Sequence, residues 1–418
     1  MGSTDEREDS QFSGSESGSD DFKTAVTRRC GPVTVCLVIY GSIALGIGWL
    51  IGRATVPAGP PGPPIQLVQT AKGTDARLDR QADLHLGPDF GFSGAAVSVL
   101  SAKPEAGVHP IVGFGGAFTE SAALVFRNLT AIQQERVLQG YFGPDGLGYT
   151  VGRTHINSCD FSVNNYAFDD VDGDLELVSF DNDVTRDTQA LIPFIKVAQK
   201  TLSAHGRDLK LLATPWSPPA WMKTNRKMDH SGKTCLRAGM QHSWAKYFTK
   251  WLDAYKAHGV PVWAVTVQNE PESNATWEGC LFTPEEATDF LASYLGPELQ
   301  ASHPEVKIFV YDHNKDHVYT WANATYSHPT AYQYATGVAY HWYSGDGFEN
   351  LRSIQRDFPQ AELLASEATW ERWRWQSGVT LEQGDWSFGE GYGHDIIGDL
   401  NVGSIGWIDW DLLLGEQG

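Results

Sequence analysis

Apolar and polar residues alternate along most of the chain in a pattern that predicts strands and helices in turn. From residue 110 onward, short apolar runs of strand length are separated by longer stretches with helical spacing. The predicted strands are 110–117, 149–157, 209–216, 262–270, 307–314, 337–343, 361–370 and 405–412. Eight strands that alternate with helices predict an α/β fold of the (β/α)8 TIM-barrel type, with a parallel sheet.

The helix signals between these runs support the same arrangement. Thr130 is a predicted N-cap for a helix over 131–139, and Thr283 precedes a proline and two glutamates, which is typical of a helix start. Aromatic residues at helical spacing predict a further helix over 240–258. A doubly wound open sheet is the alternative, but GFGG at 113–116 is not the GxGxxG loop that usually follows the first strand of such sheets.

The segments before the barrel differ from it in composition. Residues 1–29 hold seven acidic and four basic residues with little to bury, and they predict a disordered acidic tail. Residues 30–53 begin with 23 uncharged residues, a length of about 34 Å as a helix, which is enough to span a bilayer core. The proline-rich stretch 54–66 predicts an extended linker. Short β-like pieces over 67–105 predict a partial accessory β-domain, which leaves 106–418 for the barrel.

The charges around the apolar run predict its orientation. Lys23, Arg28 and Arg29 precede it and only Arg53 follows closely, so the positive-inside rule predicts a single-pass type II membrane protein with its tail in the cytosol and its barrel in a lumen. A cleaved signal peptide is the alternative, but the run is too long and begins too late for one. Three predicted glycosylation sequons on the C-terminal side agree with this topology, at Asn128, Asn274 and Asn323.

Composition narrows the class of function. Of the 418 residues, 51 are acidic and 31 basic, and the net charge of −20 would repel phosphate backbones, so we expect no nucleic-acid partner. The five cysteines show no CxxC pair and no ligand-like spacing with histidine, which argues against a structural zinc site and leaves any pairing of Cys235 with Cys280 open. The 15 tryptophans fit either a barrel core or aromatic faces that stack on sugars.

Polar and aromatic side chains follow several predicted strands, at the end where a (β/α)8 barrel builds its active site. They include Asp160, Trp216, Asn269, Glu270, His341, Tyr343, Glu367 and Trp410. A single strand-end glutamate is usually a solvated carboxylate on the rim. Two of them, Glu270 on the fourth strand and Glu367 on the seventh, can face each other across a bound sugar. This pair fits glycoside hydrolysis, in which one carboxyl protonates the leaving oxygen and the other attacks the anomeric carbon.

Several longer stretches of the chain form recognisable motifs. They include VGFGGAFTESAA at 112–123, GRTHINSCDFS at 152–162, LLATPWSPPAWMKTN at 211–225, WAVTVQNEP at 263–271, LLASEATW at 363–370 and GWIDWDL at 406–412. Together these stretches resemble glycoside hydrolase family 30, and within it the glucosylceramidase group. The resemblance covers residue 67 to the end, and it is specific because the motifs occur together. The NEP motif alone is shared by a whole clan of retaining barrels and therefore indicates mechanism better than substrate.

This resemblance implies a retaining β-glucosidase that hydrolyses glucosylceramide in a membrane, with no metal or cofactor and with a saposin-like activator as a candidate partner. Glu270 would be the general acid/base and Glu367 the nucleophile. Arg153 would keep Glu367 ionised, with a structural ion pair as the alternative role. His341 would orient a carboxylate, with a buried core histidine as the alternative. The implied substrate-binding residues are Asp160, Trp216, Asn269, Tyr343 and Trp410.

Two features depart from the family pattern. The family continues beyond the eighth strand with further strands of the accessory domain, so the chain end suggests a truncated C-terminus. The apolar run takes the place of the cleaved signal peptide of lysosomal members, and we expect a lysosomal or endomembrane protein that keeps its anchor. Two other functions stay open. One is a family 30 hydrolase acting on a xylan, glucan or galactoside, and the other is a truncated, inactive glycan-binding pseudoenzyme.

Overall fold

The computed structural model describes residues 64–85, 109–231, 235–370 and 386–415. The chain divides into two compact units, Met1–Glu105 and Ala106–Gly418. In the first unit, four two-residue strands form two antiparallel pairs. The pairs are β1 (Pro64–Ile65) with β4 (Leu84–His85), and β2 (Val68–Gln69) with β3 (Asp79–Arg80).

The predicted accessory β-domain is therefore only partly in view. Residues 67–85 contain the short strands that the sequence predicts, and 86–105 lie outside the described residues. The predicted tail at 1–29, the anchor at 30–53 and the linker at 54–63 also lie outside them.

Eight parallel strands of the second unit close into a barrel, in which consecutive strands are neighbours and the last pairs with the first. They are β5 (Gly113–Phe118), β6 (Val151–Ile156), β7 (Lys210–Pro215), β8 (Ala264–Thr266), β9 (Lys307–Asn314), β10 (Gly337–His341), β11 (Glu362–Glu367) and β12 (Ser404–Asp409). Each predicted run overlaps one of these strands. The (β/α)8 prediction is confirmed, and the open-sheet alternative is wrong because β12 pairs with β5.

Helices connect the strands and cover the outside of the barrel. They are α1 (Glu120–Asn128), α2 (Ala131–Phe142), α3 (Leu191–Ser203), α4 (Gln241–Ala257), α5 (Pro284–Phe290), α6 (Gly296–Ser302), α7 (Val318–Tyr326), α8 (Phe348–Asp357) and α9 (Ser387–Asn401), with a π-helical turn at Leu291–Leu295. Short 3-10 turns lie at Asp187–Gln189, Ala220–Met222 and Ala331–Gln333. Thr130 and Thr283 cap α2 and α5 as predicted, each in a reciprocal capping box with the residue three positions on.

The barrel interior is apolar at the amino-terminal ends of the strands. One side chain from most strands contributes to this layer, and the members contact one another: Val151, Leu212, Ala264, Phe309, Ala339, Leu364, Ile405 and Ile408. Strand β5 contributes glycines instead of large side chains. At Gly115 a Cβ atom would lie 1.7 Å from the carbonyl oxygen of Val151, so only glycine allows β5 and β6 to approach this closely.

The expected single-pass type II topology is contradicted. Among the residues that the structure describes, no helix is long and apolar enough to cross a membrane. The longest of them, α4, has 17 residues and carries three lysines and an aspartate, whereas a spanning helix needs about 20 mostly apolar residues.

A disulfide joins Cys235 to Cys280 and settles the pairing that the sequence left open. It ties the connection between β7 and α4 to the connection between β8 and α5. Both connections begin at the carboxyl ends of their strands, so the crosslink braces loops on the same face of the barrel as the predicted site. Cys159, also on this face, is buried and unpaired.

Candidate active site

The carboxyl ends of the barrel strands bring the predicted site residues to one face. Glu367 is the last residue of β11 and His341 the last of β10. Asp160, Trp216, Asn269, Glu270, Tyr343 and Trp410 lie in the connections directly after β6, β7, β8, β10 and β12. Several backbones at these ends are in the left-handed region, with φ of 64° at Asn157 and 43° at Glu270. Such conformations cost of order 1–3 kcal/mol each and concentrate at functional sites.

Arg153 occupies the centre of the barrel interior, directly above the apolar layer. Its side chain is fully buried, and its guanidinium donates to Glu367 Oε2, to Asn269 Oδ1 at 2.7 Å and to Asp312 Oδ2 at 3.0 Å. Burial disfavours its charge, but Asp312 and Glu367 outweigh that effect and raise the pKa of Arg153. This cation is therefore permanently charged, and it holds three strand-end residues in place.

Asp312 is the main carboxylate partner of this cation, and a bulge in β9 aims it inward. Tyr311 and Asp312 have φ of 75° and 64°, and the register between β9 and β10 shifts at this point. Asp312 accepts hydrogen bonds from Thr214 at 3.1 Å and from Thr266 at 2.8 Å. Burial alone would raise its pKa, but Arg153 and other donors overcome this, so the pKa of Asp312 lies well below its usual range.

Glu270 lies against two histidines. Its Oε1 is 3.2 Å from His341 Nδ1 and 3.4 Å from His313 Nδ1. Burial alone would raise the pKa of Glu270, but the neighbouring His313 and His341 outweigh burial, and this pKa is strongly lowered. Burial disfavours the charged form of His341, yet Glu367, Asp312 and Glu270 raise its pKa to about 9. Within the folded protein, Glu270 is thus a carboxylate that faces an imidazolium.

His341 lies between the two predicted catalytic carboxylates. Its side chain is fully buried, its Nε2 is 3.0 Å from Asp312 Oδ1, and the same nitrogen is 3.8 Å from Glu367 Oε2. Each ring nitrogen therefore contacts a carboxylate. These contacts favour a role for His341 in orienting the carboxylates over that of an ordinary core histidine.

Glu367 has a different environment from Glu270. One oxygen accepts from Arg153, and the other accepts from the hydroxyl of Tyr343 at 3.0 Å. The backbone N–H of Tyr343 donates in turn to Asn314 Oδ1 at 3.0 Å, which fixes the position of the tyrosine. Both oxygens of Glu367 are therefore oriented by donors, one of them a permanent cation.

Two tryptophans form an apolar wall beside the carboxylates. The rings of Trp216 and Trp410 stack with their centroids 5.4 Å apart, and the guanidinium of Arg153 lies 4.7 Å from the ring centre of Trp216. Asp160 lies at the solvent-exposed edge. The surrounding protein partly desolvates it, and the charges of Glu367 and Glu270 add to this effect, so the pKa of Asp160 lies well above its usual value.

Comparison with known proteins agrees with this geometry. The model described as the glycosyl hydrolase family 30 TIM-barrel domain matches residues 111–418. The chain belongs to glycosyl hydrolase family 30. This confirms the resemblance that the sequence motifs predicted and makes the protein a family 30 glycoside hydrolase.

The similar proteins include enzymes with different names. "Putative glucosylceramidase 4" of Caenorhabditis elegans is 38% identical, over 84% of this chain and 67% of its own length. "Lysosomal acid glucosylceramidase" of Mus musculus is 36% identical, over 82% of this chain and 67% of its own length. Among solved structures, "The endo-beta1,6-glucanase BT3312" is 28% identical with a TM-score of 0.69, and the match covers 84% of this chain and 74% of that one. The matched region thus spans about two thirds of the two relatives.

Two residues of this family 30 site are absent from the set that the sequence predicts. Asp312 and His313 both contact predicted site residues, and Ser366 donates to Asp312 Oδ1 at 2.5 Å. Asp312 carries the signal that singled out Asp160, a carboxylate after an apolar run, because it follows the run 308–311.

The three sequon asparagines are all exposed. Asn128 ends α1, Asn274 lies in the connection after β8, and Asn323 lies within α7. Their glycosylation stays a prediction.

Proposed function

We propose that this family 30 hydrolase is a retaining β-glucosidase acting on glucosylceramide, with Glu367 as the nucleophile and Glu270 as the general acid/base. The observation that carries the proposal is that the two carboxylates contact different kinds of neighbouring group. Glu367 is oriented by a permanent cation and a tyrosine hydroxyl, whereas Glu270 meets only groups that titrate. A nucleophile needs a constant negative charge, and an acid/base needs to exchange a proton.

In the first step, Glu367 Oε1 or Oε2 attacks the anomeric carbon while the glycosidic C–O bond breaks. Glu270 transfers its proton to the departing oxygen, which leaves as the alcohol of ceramide. In the second step, water attacks the anomeric carbon, the bond to Glu367 breaks, and Glu270 takes the proton from that water. Two inversions give net retention of configuration.

Other side chains have proposed binding roles in this scheme. The amide oxygen of Asn269 is occupied by Arg153, which leaves its N–H groups to donate to a sugar hydroxyl near the nucleophile. Tyr343, Asp160, Trp216 and Trp410 would contact the remaining hydroxyls and the apolar face of the glucose. Arg153 would act as a positioning residue that orients Glu367, and His341 as one that stabilises the Glu270 carboxylate.

The low pKa of Glu270 supports an acidic optimum. The first step needs a proton on Glu270, and its carboxylate is stabilised by His341 and His313. The protonated form therefore becomes abundant only at acidic pH. Activity that rises above neutrality would contradict this role for Glu270.

Glucosylceramide is the proposed substrate because the two curated relatives described above both bear the name of a glucosylceramidase. The second candidate is a β-1,6-glucan, since a solved structure with a TM-score of 0.69 is an endo-β-1,6-glucanase. Turnover of glucosylceramide micelles and of a β-1,6-glucan should be measured side by side, with and without a saposin-like activator. We expect the glucosylceramide rate to dominate, and preference for the glucan would overturn the substrate.

Proton NMR of the first-formed glucose tests the mechanism independently of the lipid. A soluble β-glucoside should release β-glucose first. Initial α-glucose would exclude double displacement, and absence of turnover on every glycoside would favour the pseudoenzyme alternative.

A further inference from the structure

We infer that Glu270, His313 and His341 form a site for a zinc-class transition-metal dication, and that metal occupancy inhibits the enzyme. The inhibitory part rests on the proposed function, whereas the binding part rests on geometry alone. The three residues offer one ligand atom each, and these atoms all lie within 4.8 Å of one another.

The spacing of the ligand atoms suits tetrahedral coordination. Zinc binds histidine nitrogen and carboxylate oxygen at about 2.0–2.2 Å, so two ligands of a tetrahedral ion lie roughly 3.3–3.5 Å apart. Glu270 Oε1 is 3.2 Å from His341 Nδ1 and 3.4 Å from His313 Nδ1. The carboxylate oxygen therefore already lies from each imidazole nitrogen at about the distance that separates two ligands of a tetrahedral ion.

The ring nitrogens are also prepared for ligation. An ion would have to displace the proton on Nδ1 of the His341 imidazolium, and binding should therefore release a proton. His341 Nε2 lies 3.0 Å from Asp312 Oδ1, which can keep the proton on that nitrogen and leave Nδ1 to the ion. A carboxylate behind a histidine is the usual outer support of a zinc ligand. His313 Nδ1 is buried and has no well-aligned hydrogen-bond partner within the residues that the structure describes. A metal ion would satisfy this nitrogen.

The local charge and the donor set determine which ions fit. The carboxylates of Glu270, Glu367, Asp312 and Asp160 lie around the cluster with Arg153 as the buried cation among them. Two nitrogens and one oxygen favour Zn²⁺, Co²⁺, Ni²⁺ or Cu²⁺, whereas Mg²⁺ and Ca²⁺ prefer oxygen ligands. The side chain of Glu270 is 17% exposed, so solvent reaches the cluster and leaves a position open for water.

Metal binding would stop the proposed reaction directly. An ion bound to Glu270 Oε1 competes with the proton that the first step must transfer. It also places positive charge close to the anomeric carbon, where the transition state itself becomes cationic. The ion would thus be an inhibitor and would take no part in turnover.

Cobalt titration of the purified full-length chain tests the binding part without any substrate. We expect one Co²⁺ per chain with the intense visible absorption of tetrahedral cobalt, displaced by Zn²⁺ and unaffected by excess Mg²⁺. His313→Asn should weaken Co²⁺ binding at least about tenfold. His317→Asn is the matched control, because His317 is a nearby histidine that is exposed and contacts Glu272 instead.

Glu270→Gln is a second variant that keeps the shape of the side chain and replaces the ligand oxygen by a poorly ligating amide. It should weaken Co²⁺ binding as His313→Asn does, and circular dichroism melting checks that both variants fold. Absence of the tetrahedral spectrum in the wild type, or equal binding by wild type and both variants, would overturn the site.

Activity assays test the inhibitory part separately. Zn²⁺ should inhibit hydrolysis of a soluble β-glucoside in the same concentration range in which it displaces Co²⁺, and a chelator should restore the rate. Tetrahedral cobalt binding in a protein that hydrolyses no glycoside would leave the site standing and overturn the proposed function. Active enzyme that binds cobalt and is unaffected by Zn²⁺ would overturn inhibition alone.

Discussion

The barrel interior has two layers on the same strands that differ in their chemistry. The lower layer, at the amino-terminal ends of the strands, is apolar, and the upper layer, at the carboxyl ends, is charged and polar. Val151, Leu212 and Ala264 belong to the apolar layer, and two residues further on their strands carry Arg153, Thr214 and Thr266. Side chains two residues apart lie on the same face of a strand. On each of these strands an apolar inward-facing side chain is therefore followed, within about 7 Å, by a polar or charged one. The lower layer stabilises the fold by burying apolar surface. The upper layer contains buried charges and strained backbone, and these form the candidate site.

This difference predicts whether a substitution in the barrel interior will mainly lower the stability or mainly lower the activity. In the lower layer, a change should destabilise the protein and leave the chemistry of the folded fraction intact. In the upper layer, charges compensate one another, so loss of one leaves its partners unpaired in a dry environment. The clearest comparison uses two residues of the same strand.

The largest effect should come from Glu367→Gln, set against Leu364→Ala on the same strand β11. Loss of the nucleophile should lower kcat on a soluble β-glucoside by at least about 10,000-fold, because no covalent intermediate forms. Leu364→Ala leaves a cavity in the apolar layer and should lower the free energy of unfolding by about 2–5 kcal/mol. Its kcat per folded molecule should stay within a few-fold of wild type.

Urea denaturation and active-site titration would separate the two variants. A Glu367→Gln enzyme with measurable turnover, or a Leu364→Ala enzyme that is stable but inactive, would contradict the division between the layers.

The two layers also differ in how much of them could be predicted from the sequence. Regular alternation predicted all eight strands, and strand-end positions indicated Glu270 and Glu367. Asp312 also follows an apolar run, but its inward direction could not be predicted, because Val310 and Tyr311 both face the outer core and the bulge then turns Asp312 inward. A positive φ at two consecutive bulky residues is imposed by the surrounding barrel, and nothing in the local sequence announces it.

The cluster of Glu270, His313 and His341 could not be predicted for a related reason, and neither could the contacts of Arg153 with Asn269 and Asp312. They depend on which side chains of different strands reach the same point, and a pattern along one strand does not contain that information.

Arg153→Met should have the next largest effect, because it leaves Asp312 and Glu367 without their buried cation. We expect the free energy of unfolding to fall by about 3–5 kcal/mol and kcat to fall as well, since Glu367 loses its orienting donor. Thermal and urea unfolding measure the first effect, and kcat per folded molecule measures the second. Arg153→Lys is the control, because a point charge should restore part of the stability but not the three-way geometry. Full stability in Arg153→Met would show that the upper layer does not depend on this cation.

The third prediction concerns stability against pH, to which the apolar layer contributes nothing because it contains no ionisable group. Burial raises the pKa of Asp411 to about 8 and that of Asp409 to about 7. In the unfolded chain both titrate near about 3.9, so the unfolded state releases its protons first. For these two groups, stability should therefore fall as pH rises from about 4 to about 8.

Urea unfolding at a series of pH values measures this slope, and Asp411→Asn should flatten it. If the wild-type slope is flat, or if it is unchanged in Asp411→Asn, the pH dependence does not arise at the end of β12.

The smallest expected effect is a shift in the pH–rate profile of His341→Asn, which keeps a polar side chain and removes the cation. His341 stays charged through neutral pH because its pKa is about 9, and this charge stabilises the Glu270 carboxylate 3.2 Å away. Without it the pKa of Glu270 should rise, so more Glu270 holds a proton at a given pH. Since the first step uses that proton, the basic limb of kcat/KM should move to higher pH by about one unit, which corresponds to about 1.4 kcal/mol. His317→Asn, whose ring contacts Glu272, should leave the profile in place. A uniform loss of rate with no shift of the basic limb would mean that His341 only packs between the strands and does not set the charge of Glu270.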